Sequence, residues 1–257
     1  MKCDGKKIGL ASAPLAYRNK GCFIEAEPTV DYSGCRKCRG SGWVHELADD
    51  GYEYVRPCSW GMLLASVRLI KHAKLPGAYA SASIGDFAGP QYADALAPAG
   101  TWLRTNPSQG GLWLYGGVGI GKTHLAVALA KAASLKGVSP LWVDGPGLLS
   151  AARAAFSNAS DPLGAAAEAQ LLIVDDIDKI RATDWVDEQV WLLLKTRCER
   201  NLATIVTANI RASEWCSTLK FGHPLLSRIQ QNWSAVSLPG SDRRMEDDDG
   251  RTTVCHP

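Results

Sequence analysis

Near residue 102 the hydrophobic pattern of the chain changes. Downstream of that point, short apolar runs alternate with stretches of helical spacing, the pattern of a parallel sheet covered by helices. Leu112–Tyr115, Leu141–Val143, Leu171–Val174 and Ala203–Thr207 read as strands, with Ala235–Leu238 as a fifth. Between them, residues 121–135, 148–156 and 184–200 read as helices, the last with an acidic first turn of Asp184, Asp187 and Glu188. The fold class predicted is α/β. Upstream, Met62–Lys74 places Leu63, Val67 and Ile70 at helical spacing, with Arg68, Lys71 and Lys74 away from that stripe. Residues 76–100 are rich in Ala, Gly, Pro and Ser, hold no Lys or Arg, and read as a connector. The segment from Met245 is polar and reads as a frayed tail. The expected organisation is an amino-terminal module over 1–75, a connector over 76–100, an α/β core over 101–244 and a tail over 245–257.

Composition narrows the class without changing this picture. With 257 residues, 46% hydrophobic and 21% charged, the chain can bury a substantial core. Collagen-like, coiled-coil and wholly disordered readings are excluded. No run approaches the ~18 consecutive apolar residues of a membrane span. The basic amino end, Met1–Lys7, lacks the apolar stretch of a secretory signal, so a cytoplasmic location is expected, with no membrane partner. Lys and Arg number 28 against 26 Asp and Glu. Bulk charge therefore gives no argument for nucleic-acid binding, and only a local basic surface would support it.

Chemistry concentrates at the ends of the expected strands. Gly116, Gly117, Val118, Gly119, Ile120, Gly121, Lys122 and Thr123 satisfy G-x-x-x-x-G-K-[ST] between a strand and a helix, the context that motif requires. The glycines let successive backbone N–H groups turn inward on phosphates, and the helix adds its positive N-terminal end. Lys122 is expected against the β- and γ-phosphates of ATP, with the Thr123 hydroxyl on magnesium. The apolar strand at 171–174 closes in Asp175 and Asp176. Asp175 is placed to hold magnesium, and Asp176 to orient or deprotonate the attacking water, although paired Asp residues after a strand also cap helices. Asn209 closes the next strand, where its amide either holds that water or reports on the γ-phosphate.

Eight cysteines remain, five of them within the first 58 residues. Cys35 and Cys38 form a C-x-x-C-x-G-x-G knuckle, and Cys58 follows 20 residues after Cys38. In a reducing compartment this clustering favours metal over disulfides. A closed structural zinc site takes four ligands, which leaves Cys22 or His45 for the fourth position, or a degenerate site.

Together these residues resemble the AAA+ ATPases, and more narrowly the DnaC/DnaI-type replicative helicase loaders and their relative, the IstB transposition ATPase. Gly116–Thr123 followed by His124-Leu125-Ala126 is similar to the family's first motif, and His124 is carried with it into the nucleotide site. Val174–Ile177 is similar to the second, with Asp176 where the family more often has Glu; Thr207–Asn209 resembles sensor 1. Leu75–Tyr79 with Asp86 and Phe87 resembles the lead-in before the ATPase core. The resemblance implies a P-loop NTPase sheet of the AAA+ type behind a small amino-terminal zinc-binding module. The relatives complete Pro-Cys-x-Cys at the zinc site where this chain has Trp60. The resemblance further implies an arginine finger at Arg228, reaching a neighbouring subunit, and a terminal arginine motif at Arg243-Arg244, in which Arg244 fits the spacing better. The function implied is ATP hydrolysis that loads a hexameric replicative helicase onto DNA, through self-assembly or assembly with the helicase. Single-stranded DNA would meet the segment after the second strand, although residues 147–169 carry only Arg153 as a basic residue. Two alternatives stand beside it: a nucleotide-gated adaptor with little turnover, and an IstB-like ATPase that binds a transposase.

Overall fold

The structure is a computed structural model that describes residues 8–9, 43–47, 53–154 and 161–243. Its centre is a five-stranded sheet of order β5-β6-β7-β4-β8, every neighbouring pair parallel. The strands are β4 (Gly111–Tyr115), β5 (Pro140–Asp144), β6 (Leu171–Asp175), β7 (Ala203–Ala208) and β8 (Trp233–Ser237). The runs in β6 and β7 are nearly continuous in apolar residues because both faces are covered, and every residue of those two strands is buried. The smaller sheet β1 (Ile8–Gly9), β2 (Trp43–Leu47) and β3 (Glu53–Pro57) has the order β1-β3-β2, with β2 and β3 antiparallel.

Helices cover the five-stranded sheet on two sides. On one side lie α1 (Ser59–His72), α2 (Ala93–Thr105) and α3 (Lys122–Ser134). There Leu112, Leu114, Leu171, Ile173 and Ile205 pack against Trp102, Leu125 and Leu129. The other side carries α4 (Gly145–Ala154), α5 (Pro162–Glu168), α6 (Asp184–Glu199), α7 (Ala212–Cys216) and α8 (Gly222–Asn232). On that side Trp113, Leu172, Val174 and Val206 pack against Val190, Leu194 and Trp215. The alternation of Leu112, Trp113 and Leu114 between the two cores follows the period of two of a strand. No helix among the described residues is long and apolar enough to cross a membrane.

Two segments before the sheet take definite positions against it. Residues 76–100 form no free connector. They make 3-10 turns at Gly77–Tyr79, Ile84–Phe87 and Pro90–Tyr92 and then enter α2. The Ala, Gly and Pro content gave a linker-like composition, but Phe87 and Tyr92 are buried against the core and hold the segment down. On α1, Val67 of the apolar stripe turns toward solvent. Val67 is 51% exposed, whereas Ser66 and Ala73 are buried. Small residues let α1 approach the Ala-rich α3 closely, and Trp142 N–H on the edge strand donates to Ala73 O at 2.8 Å. Helix α1 is thus part of the sheet's covering layer.

Arg197 is the most deeply buried charge described, with no exposure and no carboxylate partner. Its guanidinium donates to Thr204 Oγ1 at 2.9 Å and to the carbonyls of Ala166 (2.7 Å), Ala167 (3.1 Å) and Ala169 (2.9 Å), and also to Ala203 O. It thereby ties the negative, carbonyl-rich end of α5 to the start of β7. Burial lowers its pKa to about 10, so it stays charged at neutral pH. Arg197→Met would strand these carbonyls in an apolar setting. We predict a loss of about 3 kcal/mol in stability, seen as a lower urea midpoint with an unchanged slope.

Candidate nucleotide-binding site

Because all five strands run in parallel, their carboxyl ends meet at one edge of the sheet, where such folds bind ligands. The loop after β4 turns sharply there. Gly116, Gly119 and Gly121 have φ of 143°, 72° and 99°, in the region that favours glycine. A Cβ on Gly116 would lie 2.4 Å from Ile120 Cδ1 and 2.9 Å from Leu238 O, so this close turn admits no side chain. Gly121 then opens α3 with no side-chain cap. The first-turn N–H groups of α3 therefore face the loop without a side-chain acceptor, at the positive end of a 13-residue helix. That arrangement suits an anion.

Lys122 is the first residue of α3 and is buried, at 7% exposure. Its Nζ donates to Gly117 O at 2.6 Å, Asn209 Oδ1 at 2.9 Å and Gly116 O at 3.0 Å. These three bonds use every donor of the ammonium. Burial lowers its pKa, and the carboxylates of Asp176, Asp178 and Asp175 oppose that shift.

One turn of hydroxyls and one carboxylate lie beside it. Asp175 Oδ1 accepts from Thr207 Oγ1 at 2.6 Å and from Thr123 Oγ1 at 2.9 Å. Burial pushes the Asp175 pKa up, while the two hydroxyl bonds hold it down. A buried carboxylate beside a threonine hydroxyl is a hard-oxygen donor pair, and it fits a partly hydrated magnesium ion. Asp176 follows in the left-handed region (φ 52°), with its N–H on Thr207 Oγ1 at 2.9 Å. Asn209 Nδ2 donates to Asp178 Oδ2 at 2.7 Å. Asp178 does not stand out in the sequence, and Thr207 reads there only as the start of the motif that ends in Asn209. The alternating polar residues at the end of β7 were the available signal for Thr207.

The expected site residues divide into those the fold gathers and those it does not. Gly116–Thr123, Asp175, Asp176 and Asn209 lie together. His124 sits in the first turn of α3, hydrogen-bonded to Asp86 at 2.6 Å and edge-on to the rings of Tyr79 and Phe87. The His124 bond and the Ser83 N–H hold the Asp86 carboxyl below its usual range. Arg243 lies against the loop: its N–H donates to Gly119 O at 3.2 Å. Its guanidinium stands over the rings of Phe87 and Tyr92, at 5.1 and 5.2 Å, and bonds Tyr92 Oη. Arg244 lies outside the described residues. Arg228 does not reach the site: it pairs with Glu199 at 3.5 Å, at the end of α6 that leads into the start of β7. That is the edge of the sheet opposite the glycine loop.

Of the expected zinc ligands, Cys22, Cys35 and Cys38 lie outside the described residues. Cys58 is buried just after β3, and His45 stands opposite Val55 in the β2–β3 register. Among the described residues no group of three or more His, Cys, Asp or Glu is placed to hold a metal ion.

A parallel sheet with this strand order, a glycine loop opening a helix after β4, and a buried Asp ending β6, with β7 between those two strands, together define a P-loop NTPase fold of the AAA+ type. Residues 90–248 match the family described as IstB-like ATP binding protein, and the chain belongs to that family. The insertion sequence IS232 protein described as ATP-binding, from Bacillus thuringiensis subsp. berliner, is 29% identical over 150 residues. That match covers 56% of this chain and 60% of the IS232 protein, so the two are compared over only part of each length. Among solved structures, the DnaC helicase loader aligns at a TM-score of 0.57 and 23% identity, over 64% of this chain and all of that one. DnaI aligns at 0.57 and 22% identity, over 65% and 95% of the two chains. Domain III of the Thermotoga maritima replication initiation protein DnaA gives 0.54 and 18%, over 64% and 68%. At these identities the likeness is one of fold.

The raised pKa of Asp175 gives a prediction of definite sign. A carboxyl whose folded pKa is raised loses folded-state stability as pH rises through the range between its unfolded and folded values. Asp175→Asn removes that ionisation and keeps an oxygen acceptor for Thr123 and Thr207. We predict a melting temperature at pH 7 equal to or above that of the wild type without nucleotide, and loss of the additional stabilisation that magnesium and ATP give the wild type. Thermal melts with and without magnesium and ATP measure both.

Proposed function

We propose that this chain is a magnesium-dependent ATPase that uses ATP to deliver a DNA-processing partner, a hexameric replicative helicase, to DNA. The reading rests on one observation: Lys122, Thr123, Asp175 and Asn209 converge at the uncapped start of α3. Lys122 would exchange its loop carbonyls for β- and γ-phosphate oxygens, and Thr123 with Asp175 would hold magnesium. Magnesium supplies charge neutralisation on the phosphates. Asn209 and Asp176 would orient water for in-line attack on the γ-phosphorus. Arg228, far from its own site, would serve as a finger in a neighbouring copy, and Arg243 rather than Arg244 would act at the loop. In this reading the chain works in the cytoplasm, and residues 1–75, with zinc on Cys35, Cys38, Cys58 and either Cys22 or His45, grip the helicase.

Charge placement supports a nucleic-acid partner where bulk charge did not. Residues 54–143, which supply α1, α2 and α3, hold eight Lys and Arg against only Asp86 and Asp94. Residues 144–243 hold ten against twelve Asp and Glu. Lys195, Arg200, Lys220 and Arg228 are all paired with carboxylates, and all lie in the second half. Arg68, Lys71, Lys74, Arg104 and Lys136 make no such pair among the described residues. The α1–α3 side is thus a better seat for phosphates than residues 147–169.

A second reading has its own support. The IS232 relative belongs to an insertion sequence, which supports an IstB-like ATPase whose partner is a transposase in place of a helicase. The adaptor reading differs from both in having little turnover.

Turnover of ATP, measured alone, with single-stranded DNA and with each partner, separates these readings. We predict stimulation by DNA and helicase. Stimulation by a transposase alone establishes the second reading, and no stimulated turnover with any of them establishes the adaptor. In the same assays, Lys71→Glu with Lys74→Glu should weaken binding to single-stranded DNA and flatten its salt dependence by about 0.7 per lost phosphate contact. Arg153→Ala should leave both unchanged.

A further inference from the structure

Asn209 lies between two side chains that each allow a single hydrogen-bonding role. Lys122 Nζ can only donate and meets Oδ1 at 2.9 Å; the Asp178 carboxylate can only accept and meets Nδ2 at 2.7 Å. The amide therefore has one orientation, with its oxygen toward the glycine loop. We infer that Asp178 is a positioning residue that sets the polarity of the Asn209 amide, so that Asn209 offers an acceptor to the attacking water and not a donor to phosphate.

Three features make Asp178 suited to this. It lies on the 3-10 turn Ile177–Lys179 directly after β6, and Ile177 beside it is fixed in the core at 1% exposure. The turn is locked to β7 a second time, through Asp176 N–H on Thr207 Oγ1. Asp178 Oδ1 is buried and has no hydrogen-bond partner among the described residues. The carboxylate is thus held close to Lys122, whose ammonium feels its charge, and only Oδ2 is engaged, by Asn209.

The consequence follows from what Lys122 does. Once Lys122 turns to phosphate, Asn209 Oδ1 loses its donor while Asp178 still holds Nδ2. The vacated oxygen then accepts best from a water O–H, which aligns that water's lone pair with phosphorus. A flipped amide would instead present N–H to a phosphate oxygen and favour bound nucleotide over reaction. Asp178 acts here through Asn209, whose Nδ2 it holds. The inference deepens the ATPase reading and rests on it for its effect on rate, but not for the amide orientation itself.

The test uses the full chain and two variants. Asp178→Asn allows either amide orientation, and Asp178→Ala removes the acceptor. Both are expected to bind ATP within about twofold of the wild type while turnover falls roughly ten- to a hundredfold with KM little changed. In the Asn209→Ala background, neither should lower turnover further. Additive losses in the double variants, or unchanged turnover in the single ones, overturn the inference. A second readout is independent of hydrolysis. With 15N-labelled asparagine, the side-chain NH2 resonances that vanish in Asn209→Ala should move toward free-amide positions in both Asp178 variants. If they do so in a chain that never turns over ATP, the ATPase reading fails and the polarity assignment stands. If they do not move, the assignment fails whatever the turnover.

Discussion

The structure is organised around an ammonium buried at the open end of a helix. Lys122 needs three acceptors, and the fold provides them from two glycine carbonyls and one amide oxygen. The loop can approach that closely only because Gly116, Gly119 and Gly121 take backbone conformations that other residues reach at a cost. The start of α3, left without a side-chain cap, then adds the positive end of its dipole to the site. Lys122 and the helix end favour the same ligand, a polyanion, and the neutral acceptors on Lys122 are ones a phosphate can displace.

The sheet carries the rest of the site to this point by register. Asp144 and Asp175 are paired at the ends of β5 and β6, and Val174 is paired with Val206 just before Thr207. Extending β6 by one carboxylate and β7 by one hydroxyl therefore builds the Thr123–Asp175–Thr207 cluster with no further loop. The burial that stabilises the two central strands also raises the pKa of Asp175. A cation would restore the balance there. The two sides of the sheet divide the remaining work: α6 and α8 carry ion-paired cations, while the side of α1 to α3 presents Arg68, Lys71 and Arg104 with no carboxylate partner among the described residues.

The parts of this arrangement legible in the sequence were those with strong local chemistry. The glycine loop, the apolar strands and the Asp pair each carry a pattern that one physical role explains, and all five strands appear at the expected places. The misses share one cause, which is that the deciding contact is remote in the chain. Phe87 and Tyr92 fix residues 76–100 to the core across distances that composition cannot report. Spacing alone could not place Arg243, which is seated on the aromatic pair Phe87 and Tyr92, more than 150 residues earlier for Tyr92. Asp178 showed only as one more acid after a strand, and its value lies in the partner that β7 brings to it. The amino-terminal cysteine knuckle falls outside the described residues, so the zinc expectation stays with the sequence.

The central claim is that Lys122 is held ready for the phosphates of a nucleotide, and calorimetric titration of ATP and magnesium into Lys122→Ala tests it most directly. The account predicts a folded protein with ATP affinity weakened at least about tenfold, the loss expected for a charged hydrogen-bond donor. Binding as tight as in the wild type, with the fold intact, would contradict it.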